Sequence, residues 1–340
     1  RRTVDVDRLA AQFGGALLDK AVADAALRAA GMDWVGGANA GVLGDPVTAK
    51  RRLQRAMQVA LRHTVGLADR LTVDDEGHDP HDGLPATLED AIARYGLRFF
   101  KLKLSGRFDA DLDRLARIAA VLDRCAGDWR VTLDGNETFD SAESLGRFWH
   151  ALSRQPILHK LLARTLLLEQ PIARKVALTE SIAGLGIGVP VILDESDDHD
   201  DALDEGIALG YRGISSKACK GIYRSLCNAL RVAQEPQRLL LSGEDLTCQA
   251  GLAVQQDTLL AASLGVTHIE RNGHHYVDGF GIAPDDEARA FAQAHPGFYA
   301  MQGSRVRLAV HDGRLDLRSL HAEGFAGGAM PHWNSLTPIH

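Results

Sequence analysis

Two lysines occupy alternate positions of a short apolar segment, RFFKLKL, at residues 98–104. Side chains of a β-strand alternate between its two faces, so Lys101 and Lys103 would point to the same side of the sheet. Lysine is common on exposed edge strands, which is one explanation of the pair. The other explanation is that the two ammonium groups belong to one functional site, and the residues in the rest of the chain decide between the two explanations.

Acidic residues end three of the apolar segments that follow, WRVTLDG, TLLLEQ and VPVILDE, with Asp134, Glu169 and Asp194 respectively. On neighbouring parallel strands these carboxylates would lie within a few ångströms of one another, which is costly unless a cation lies between them. Oxygen donors suit Mg²⁺ or Mn²⁺ better than Zn²⁺, which prefers His and Cys. We therefore predict a site for Mg²⁺, with Mn²⁺ as the other hard cation that fits.

Further polar residues stand at or near the ends of predicted strands, and they are Asn136, Glu195, Lys217, Glu244 and Asp245. Lys217 would face the cation from the side opposite to the lysine pair. Asn136 and Glu195 are predicted either to contact a ligand or metal or to form loop hydrogen bonds. Glu244 and Asp245 could face a substrate or cap the following helix. Surface lysines, and carboxylates that cap helices, are the structural alternatives for the main site residues.

Short apolar segments alternate with longer segments of helical spacing from about residue 66. The predicted strands are 67–73, 98–104, 129–135, 165–170, 189–195, 213–217, 238–244 and 268–272. Amphipathic helices are predicted at 109–125, 141–152 and 249–265, with Ser141 as a simple N-cap. Eight strands joined by helical crossovers favour an α/β fold of the TIM-like (β/α) barrel type. An open doubly wound sheet is the alternative, but no GxGxxG or GxxxxGK motif follows the first predicted strand.

Both ends of the chain differ from this pattern. Residues 16–31 and 48–63 are predicted as amphipathic helices around a Gly-rich turn, and SRVRLAV and GRLDL as short C-terminal strands. We therefore expect three regions: a helical N-terminal segment at 1–65, the catalytic barrel at 66–300, and a C-terminal segment at 301–340 that packs back toward the N-terminal region.

Composition excludes several classes of protein. A net charge of −7 disfavours nucleic acid as the main partner, and no apolar run approaches the roughly 20 residues of a membrane span. The four cysteines form no CxxC pair, and the N-terminus lacks the apolar region of a signal peptide. We expect a cytoplasmic protein that assembles as a homo-oligomer and binds neither nucleic acid nor membranes.

Five segments, KLK, LDGNE, LLEQP, LDES and SSKACKG, resemble in order and separation the mandelate racemase and muconate lactonizing enzyme family of the enolase superfamily. The resemblance covers roughly residues 15–300. It implies a modified (β/α)7β barrel with a capping domain, which would be reduced or incomplete in this chain. It also implies three metal ligands, Asp134, Glu169 and Asp194. The lysine after the sixth strand is similar to the muconate lactonizing subgroup. Glu137 in LDGNE departs from the commoner pattern and adds a charge near the site.

By the same resemblance, Lys103 is the base on one face of the substrate, Lys217 is the acid or base on the other, and Lys101 is an auxiliary cation. The implied reaction is Mg²⁺-dependent removal of the proton α to a small substrate's carboxylate through an enediolate. Two lysines on opposite faces favour racemisation or epimerisation. Cycloisomerisation and syn elimination of water are competing reactions on the same scaffold. A metal-independent Schiff-base lyase and a non-catalytic binding protein are the competing functions from different classes.

Overall fold

Eight parallel strands form a (β/α) barrel in the computed structural model, which describes residues 7–44, 52–79, 81–248, 250–274 and 276–335. The barrel strands are β1 Gln58–Val65, β2 Phe99–Lys103, β3 Arg130–Asp134, β4 Thr165–Glu169, β5 Val191–Ile192, β6 Gly213–Ser216, β7 Leu240–Gly243 and β8 His268–Glu270. They are ordered β5-β4-β3-β2-β1-β8-β7-β6. A parallel bridge between Leu193 and Ile214 joins the two ends of this order, so the sheet closes. The predicted barrel is confirmed, and the open sheet is wrong.

Helices connect the barrel strands, as the alternation of segments predicts, and further helices lie toward both ends of the chain. They are α1 Arg8–Ala29, α2 Trp34–Asn39, α3 Leu88–Tyr95, α4 Phe108–Cys125, α5 Ala142–Ser153, α6 His159–Ala163, α7 Arg174–Ala177, α8 Ala202–Leu209, α9 Ile222–Gln234, α10 Leu252–Ser263, α11 Asp285–Ala294 and α12 Glu323–Ala326. Ser141 caps α5 as predicted, and it does so in a reciprocal capping box with Ser144 rather than as a simple N-cap. The Ser144 hydroxyl replaces the Glu that is usual in this motif, because it accepts a hydrogen bond from the backbone N–H of Ser141.

The position of the first strand differs from the prediction. Residues 67–73 form a loop, and β1 lies at Gln58–Val65, where it overlaps the end of the segment 48–63 that is predicted as a helix. Residues 48–51 of that segment lie outside the described residues. Arg62 is the reason that the strand is not evident from the sequence, because a charged residue within an apolar segment suggests the polar face of an amphipathic helix. The side chain is instead fully buried and donates to Ser242 Oγ at 3.3 Å.

The helix α10 also differs from the prediction, because its polar residues do not form a solvent-exposed face. Every residue from Val254 to Ser263 is buried. Its polar side chains bond inside the protein: the Ser263 hydroxyl accepts from Trp34 Nε1 at 2.9 Å, and Asp257 forms an ion pair with Arg271 at 2.6 Å. Polar residues that look solvated in the sequence are therefore internal hydrogen-bonding groups.

The chain divides into two compact units, and two of the divisions fall within β1 and β7. Among the described residues, the first unit holds 7–13, 62–216 and 231–242, including the site-bearing ends of β2 to β5. The second holds the remaining described residues. Within the second unit, β9 Tyr299–Gln302 pairs with β10 Arg305–Leu308, and β11 Arg314–Asp316 pairs antiparallel with the start of β1.

The C-terminal residues of the second unit pack on α2. Trp34 is fully buried and stacks on Phe325 with ring centroids 4.3 Å apart. Across the parts of the chain that the structure describes, no helix combines the length and apolarity needed to cross a membrane.

Replacing Trp34 by Ala is expected to lower the free energy of unfolding by about 3–5 kcal/mol, because it empties a buried site and removes an aromatic stack. Urea unfolding followed by circular dichroism measures the change. The matched control is Trp333→Ala, which removes a side chain that is 61% exposed and should change stability by less than about 0.5 kcal/mol. Equal effects of the two substitutions would contradict the packing described.

Candidate active site

The two lysines of β2 lie on a central strand, not on an edge. β2 pairs with β1 on one side and with β3 on the other, so the edge-strand explanation is wrong. Lys101 is only 2% exposed, whereas the side chain of Lys103 keeps 25% of its surface accessible. One ammonium group is therefore internal, and the other is open to a ligand.

The buried ammonium group binds two carboxylates. Lys101 Nζ lies 2.9 Å from Asp134 Oδ2 and 2.9 Å from Glu169 Oε1, and both acidic side chains are fully buried. The strand register explains why these side chains lie together, because Asp134 is opposite Glu169 on β4 and Lys103 on β2. Charges buried to this degree are stable only when they are paired and hydrogen-bonded, so each member of the trio requires the others.

The second lysine shares one of these carboxylates. Lys103 Nζ lies 2.6 Å from Asp134 Oδ2 and 2.5 Å from Asn136 Oδ1. Asn136 also donates from its backbone N–H to Asp134 Oδ1 at 2.9 Å, and from its side chain to Glu195 Oε1 at 3.4 Å. The structure therefore brings Lys101, Lys103 and the predicted residues after β3 and β4 into one network, with Glu195 at its margin.

Asp194 is held by different partners. It follows β5, is 1% exposed, and accepts a hydrogen bond at Oδ1 from the Ser215 hydroxyl of β6. The side-chain oxygen of Gln170 accepts from the backbone N–H groups of Asp194 and Ser196, at 2.8 and 3.1 Å. Sequence reasoning missed Ser215 and Gln170 as supports of this loop. The glutamine of LLEQP was the available signal for Gln170.

None of the three carboxylates caps a helix, so this structural explanation is wrong. The helices that follow have Ser141, Ala173 and Asp201 as their N-cap residues. A surface position is also excluded for Lys101, which is buried. The roles that the family resemblance assigns to these residues stay predictions.

The remaining predicted residues belong to the second unit. Lys217 follows β6 in an extended conformation and is partly exposed. The next residue, Ala218, donates its backbone N–H to Asp257 Oδ1 at 2.5 Å. Because Arg271 pairs with Asp257, this buried ion pair fixes the backbone beside Lys217.

Glu244 and Asp245 do not cap the following helix, because α10 begins at Leu252 with Gly251 as its N-cap. Glu244 is fully buried and Asp245 is 8% exposed. Asp245 accepts from the backbone N–H of Asn272 at 2.9 Å and lies 3.3 Å from Arg271 Nη1. Burial raises the pKa of the Asp245 carboxyl above its usual range, and the Arg271 charge opposes that shift. Its contacts tie the loop after β7 to the end of β8.

The donor set after β3, β4 and β5 fits a hard divalent cation in its chemistry. Asp134, Glu169 and Asp194 supply only carboxylate oxygens, and Asp134 and Glu169 already share a cationic group. In the described part of the chain, no three His, Cys, Asp or Glu side chains are arranged as a metal site. Asp134 Oδ2 instead contacts both lysine ammonium groups, and Glu169 contacts that of Lys101. Magnesium would therefore have to compete with these groups for the oxygens.

Solved structures share this architecture. An enolase from Bradyrhizobium, complexed with magnesium and mandelic acid, aligns with a TM-score of 0.61 and 18% identity over 95% of this chain and 70% of its own. A dipeptide epimerase from Enterococcus faecalis V583, complexed with Mg and the dipeptide L-Leu-L-Tyr, aligns with a TM-score of 0.61 and 17% identity over 95% and 73%. The chain has the barrel fold of the enolase superfamily.

A mandelate racemase/muconate lactonizing protein from Herpetosiphon aurantiacus is also similar, with a TM-score of 0.52 and 19% identity over 79% of this chain. The chain spans 64% of that protein, which is less than two thirds of its length. No protein-family model and no curated protein matches the sequence. The resemblance that the five motifs indicate is confirmed by these enolase-superfamily structures at the level of the fold.

Replacing Lys101 by Met is expected to lower the free energy of unfolding at pH 7 by about 3–5 kcal/mol, because it leaves two buried carboxylates without their shared cation. Urea unfolding measures the loss, and a second substitution, Glu169→Gln, should recover part of it. Lys160→Met is the control, since that lysine is 57% exposed and pairs with the partly exposed Asp123. Its effect should stay within about 1 kcal/mol. An unchanged free energy of unfolding in Lys101→Met would contradict the described trio.

Proposed function

We propose that this chain is an enolase-superfamily enzyme that removes the proton α to the carboxylate of a small substrate and returns a proton to the same carbon. The observation that carries the proposal is the Lys103 ammonium group, which is accessible at the end of β2 while Lys101 lies buried in the same network. Racemisation or epimerisation is the reaction that this arrangement and the sequence motifs favour.

Lys103 is the proton-transfer group on one face of the substrate in this proposal. Its side chain keeps access to a ligand, and Asp134 and Asn136 fix the position of its nitrogen. A positioned amine that is close to the reacting carbon contributes through orientation as well as through acid–base chemistry. Lys101 cannot reach a substrate because its side chain is only 3% exposed. It contributes positive charge beside the site.

Lys217 is the proton-transfer group on the opposite face in this proposal. Two observations in the second unit support it: Lys217 directly follows β6 in an extended conformation, and Asp257 holds the adjoining Ala218 backbone. A fixed backbone limits the positions that the amine can take. This is what stereochemically defined proton return requires.

Magnesium would be held by Asp134, Glu169 and Asp194, and when bound it would stabilise the negative charge that develops on the substrate carboxylate. The all-oxygen donor set supports this assignment. Asn136 and Glu195 then lie where they can contact the substrate or orient Lys103. The proposed substrate class is small carboxylates with an acidic α C–H bond.

The wild-type protein with Mg²⁺ in D₂O is expected to exchange the α-proton of at least one compound in a library of acid sugars, N-acyl amino acids, dipeptides and succinylbenzoate-type acids. NMR or mass spectrometry detects the exchange. EDTA should abolish it, and Lys103→Ala should slow exchange of the enantiomer whose α-proton faces Lys103 by about 10²- to 10⁴-fold. Lys160→Ala is the matched control and should leave it unchanged.

The competing reaction classes predict different outcomes of this assay. A Schiff-base lyase would keep its activity in EDTA, and borohydride would trap its substrate on a lysine. A cycloisomerase or dehydratase would form a product with a new ring or a new double bond. Exchange of no compound by the folded, magnesium-loaded protein would contradict the proposal and favour a binding protein.

Single enantiomers of an exchanging substrate test the two-base form of the proposal. Lys103→Ala should abolish α-proton exchange of one enantiomer, and Lys217→Ala should abolish exchange of the other, because each lysine serves one face. Chiral chromatography combined with deuterium analysis measures both reactions. Loss of exchange of both enantiomers in Lys103→Ala, with no effect of Lys217→Ala, would contradict two-base catalysis.

A further inference from the structure

The loop after β3 holds two consecutive residues in an unusual backbone conformation. Asn136 has φ 41° and Glu137 has φ 63°. Residues with a side chain rarely adopt such angles, and they persist only where the surroundings enforce them. Gly135 precedes them at a close approach, since a Cβ atom there would lie 2.5 Å from the Cα of Pro171. The loop is therefore held against its own conformational preference.

Glu137 anchors the loop through its side chain. Arg174, at the start of α7, donates to Glu137 Oε1 from its backbone N–H at 2.7 Å and from Nε at 2.8 Å. It also donates from Nη2 to Oε2 at 2.7 Å. The backbone N–H of Glu137 donates to Gln170 O at 2.8 Å. A two-pronged guanidinium contact fixes orientation as well as distance.

Arg174, which is not part of the lysine network, therefore balances the negative charge of Glu137. The hydrogen bonds that the Arg174 side chain donates to Glu137 raise the pKa of the Arg174 guanidinium, which stays a cation. Glu137 and Arg174 keep 24% and 28% of their side-chain surfaces exposed. The unusual acidic residue of LDGNE does not act as an additional free charge beside Lys103.

The anchored loop carries a direct contact of Lys103. Asn136, next to Glu137, presents its side-chain oxygen to Lys103 Nζ at 2.5 Å and its side-chain nitrogen to Glu195 at 3.4 Å. Release of Glu137 would let both unfavourable φ angles relax. The asparagine oxygen would then move away from the amine, although neither Glu137 nor Arg174 touches that amine.

We propose that Glu137 and Arg174 form a positioning pair that places Lys103 through Asn136. The inference rests on the proposed function in taking Lys103 as the proton-transfer group. The anchored geometry itself stands on contacts that are independent of the reaction. Neither residue is a catalytic residue in this scheme. The pair determines where the amine lies when a substrate arrives.

The experiment compares wild type with Arg174→Gln, Glu137→Gln and the double variant, each folded and in excess MgCl₂. Amine acetylation at limiting reagent, read peptide by peptide in a mass spectrometer, gives the labelling rate of Lys103, with Lys160 as internal reference. Each single variant should raise the Lys103 rate at least about threefold, because the amine loses a fixed partner. Since both substitutions break one contact, the double variant should match the single ones.

The matched control is Arg147→Gln, which removes an exposed ion pair with Glu143 on α5 and should leave Lys103 labelling unchanged. Glu137→Gln puts an amide NH₂ group opposite the Arg174 guanidinium in place of one carboxylate oxygen, so it also breaks the two-pronged contact. The test therefore stands even where Arg174→Gln does not fold. Unchanged Lys103 labelling in folded Glu137→Gln would overturn the positioning role. Additive effects in the double variant would overturn the pairing.

The kinetics of α-proton exchange, measured with a substrate from the exchange assay, give a second test of the positioning pair. The single variants should lower kcat for α-proton exchange by about 10- to 100-fold with little change in KM, because the amine is displaced while substrate contacts remain. An equal loss through KM alone would overturn the positioning role. Absence of exchange in the wild type would contradict the proposed function only, since the labelling result does not depend on turnover.

Discussion

The contact on which the site depends is the Lys101 ammonium group between Asp134 and Glu169. All three side chains are almost completely removed from water. A buried charge is tolerated only with a partner of opposite sign at hydrogen-bonding distance. The trio therefore stabilises the ends of β2, β3 and β4 in the register that brings these side chains together. It also places the more accessible Lys103 beside the same carboxylate.

The remaining groups are held by hydrogen bonds that run between loops. Gln170, directly after Glu169, orders the backbone at Asp194, and Ser215 binds the Asp194 carboxylate. Arg174 holds the strained loop after β3 through Glu137. Loops usually carry function because a rigid scaffold presents them. Here the loops are also bonded to each other, which limits how far any one polar group can move.

Segments with a clear period were predictable, and segments whose polar residues are buried were not. β2, β3 and β4 lie within a residue or two of their predicted bounds, because parallel strands are apolar on both faces. β1 was predicted as a helix and α10 as amphipathic, and each contains charged residues that bond inside the protein. A charged residue in a sequence pattern is taken as exposed to solvent. Only the tertiary structure shows that it is buried beside a partner from another part of the chain. β5 is shorter than its apolar segment, since only Val191 and Ile192 form ladder pairs.

The sequence by itself determined the barrel and the strand ends that carry polar groups. These features follow from local period and from the order of KLK, LDGNE, LLEQP, LDES and SSKACKG. Only the tertiary structure decided which charges meet: that Lys101 joins two carboxylates, that Glu137 binds Arg174 and not the lysines, and that Asp257 pairs with Arg271. The physical reason is that an ion pair joins residues 14 to 68 positions apart in these cases. Its partner is chosen by strand register and loop path, which no local pattern encodes.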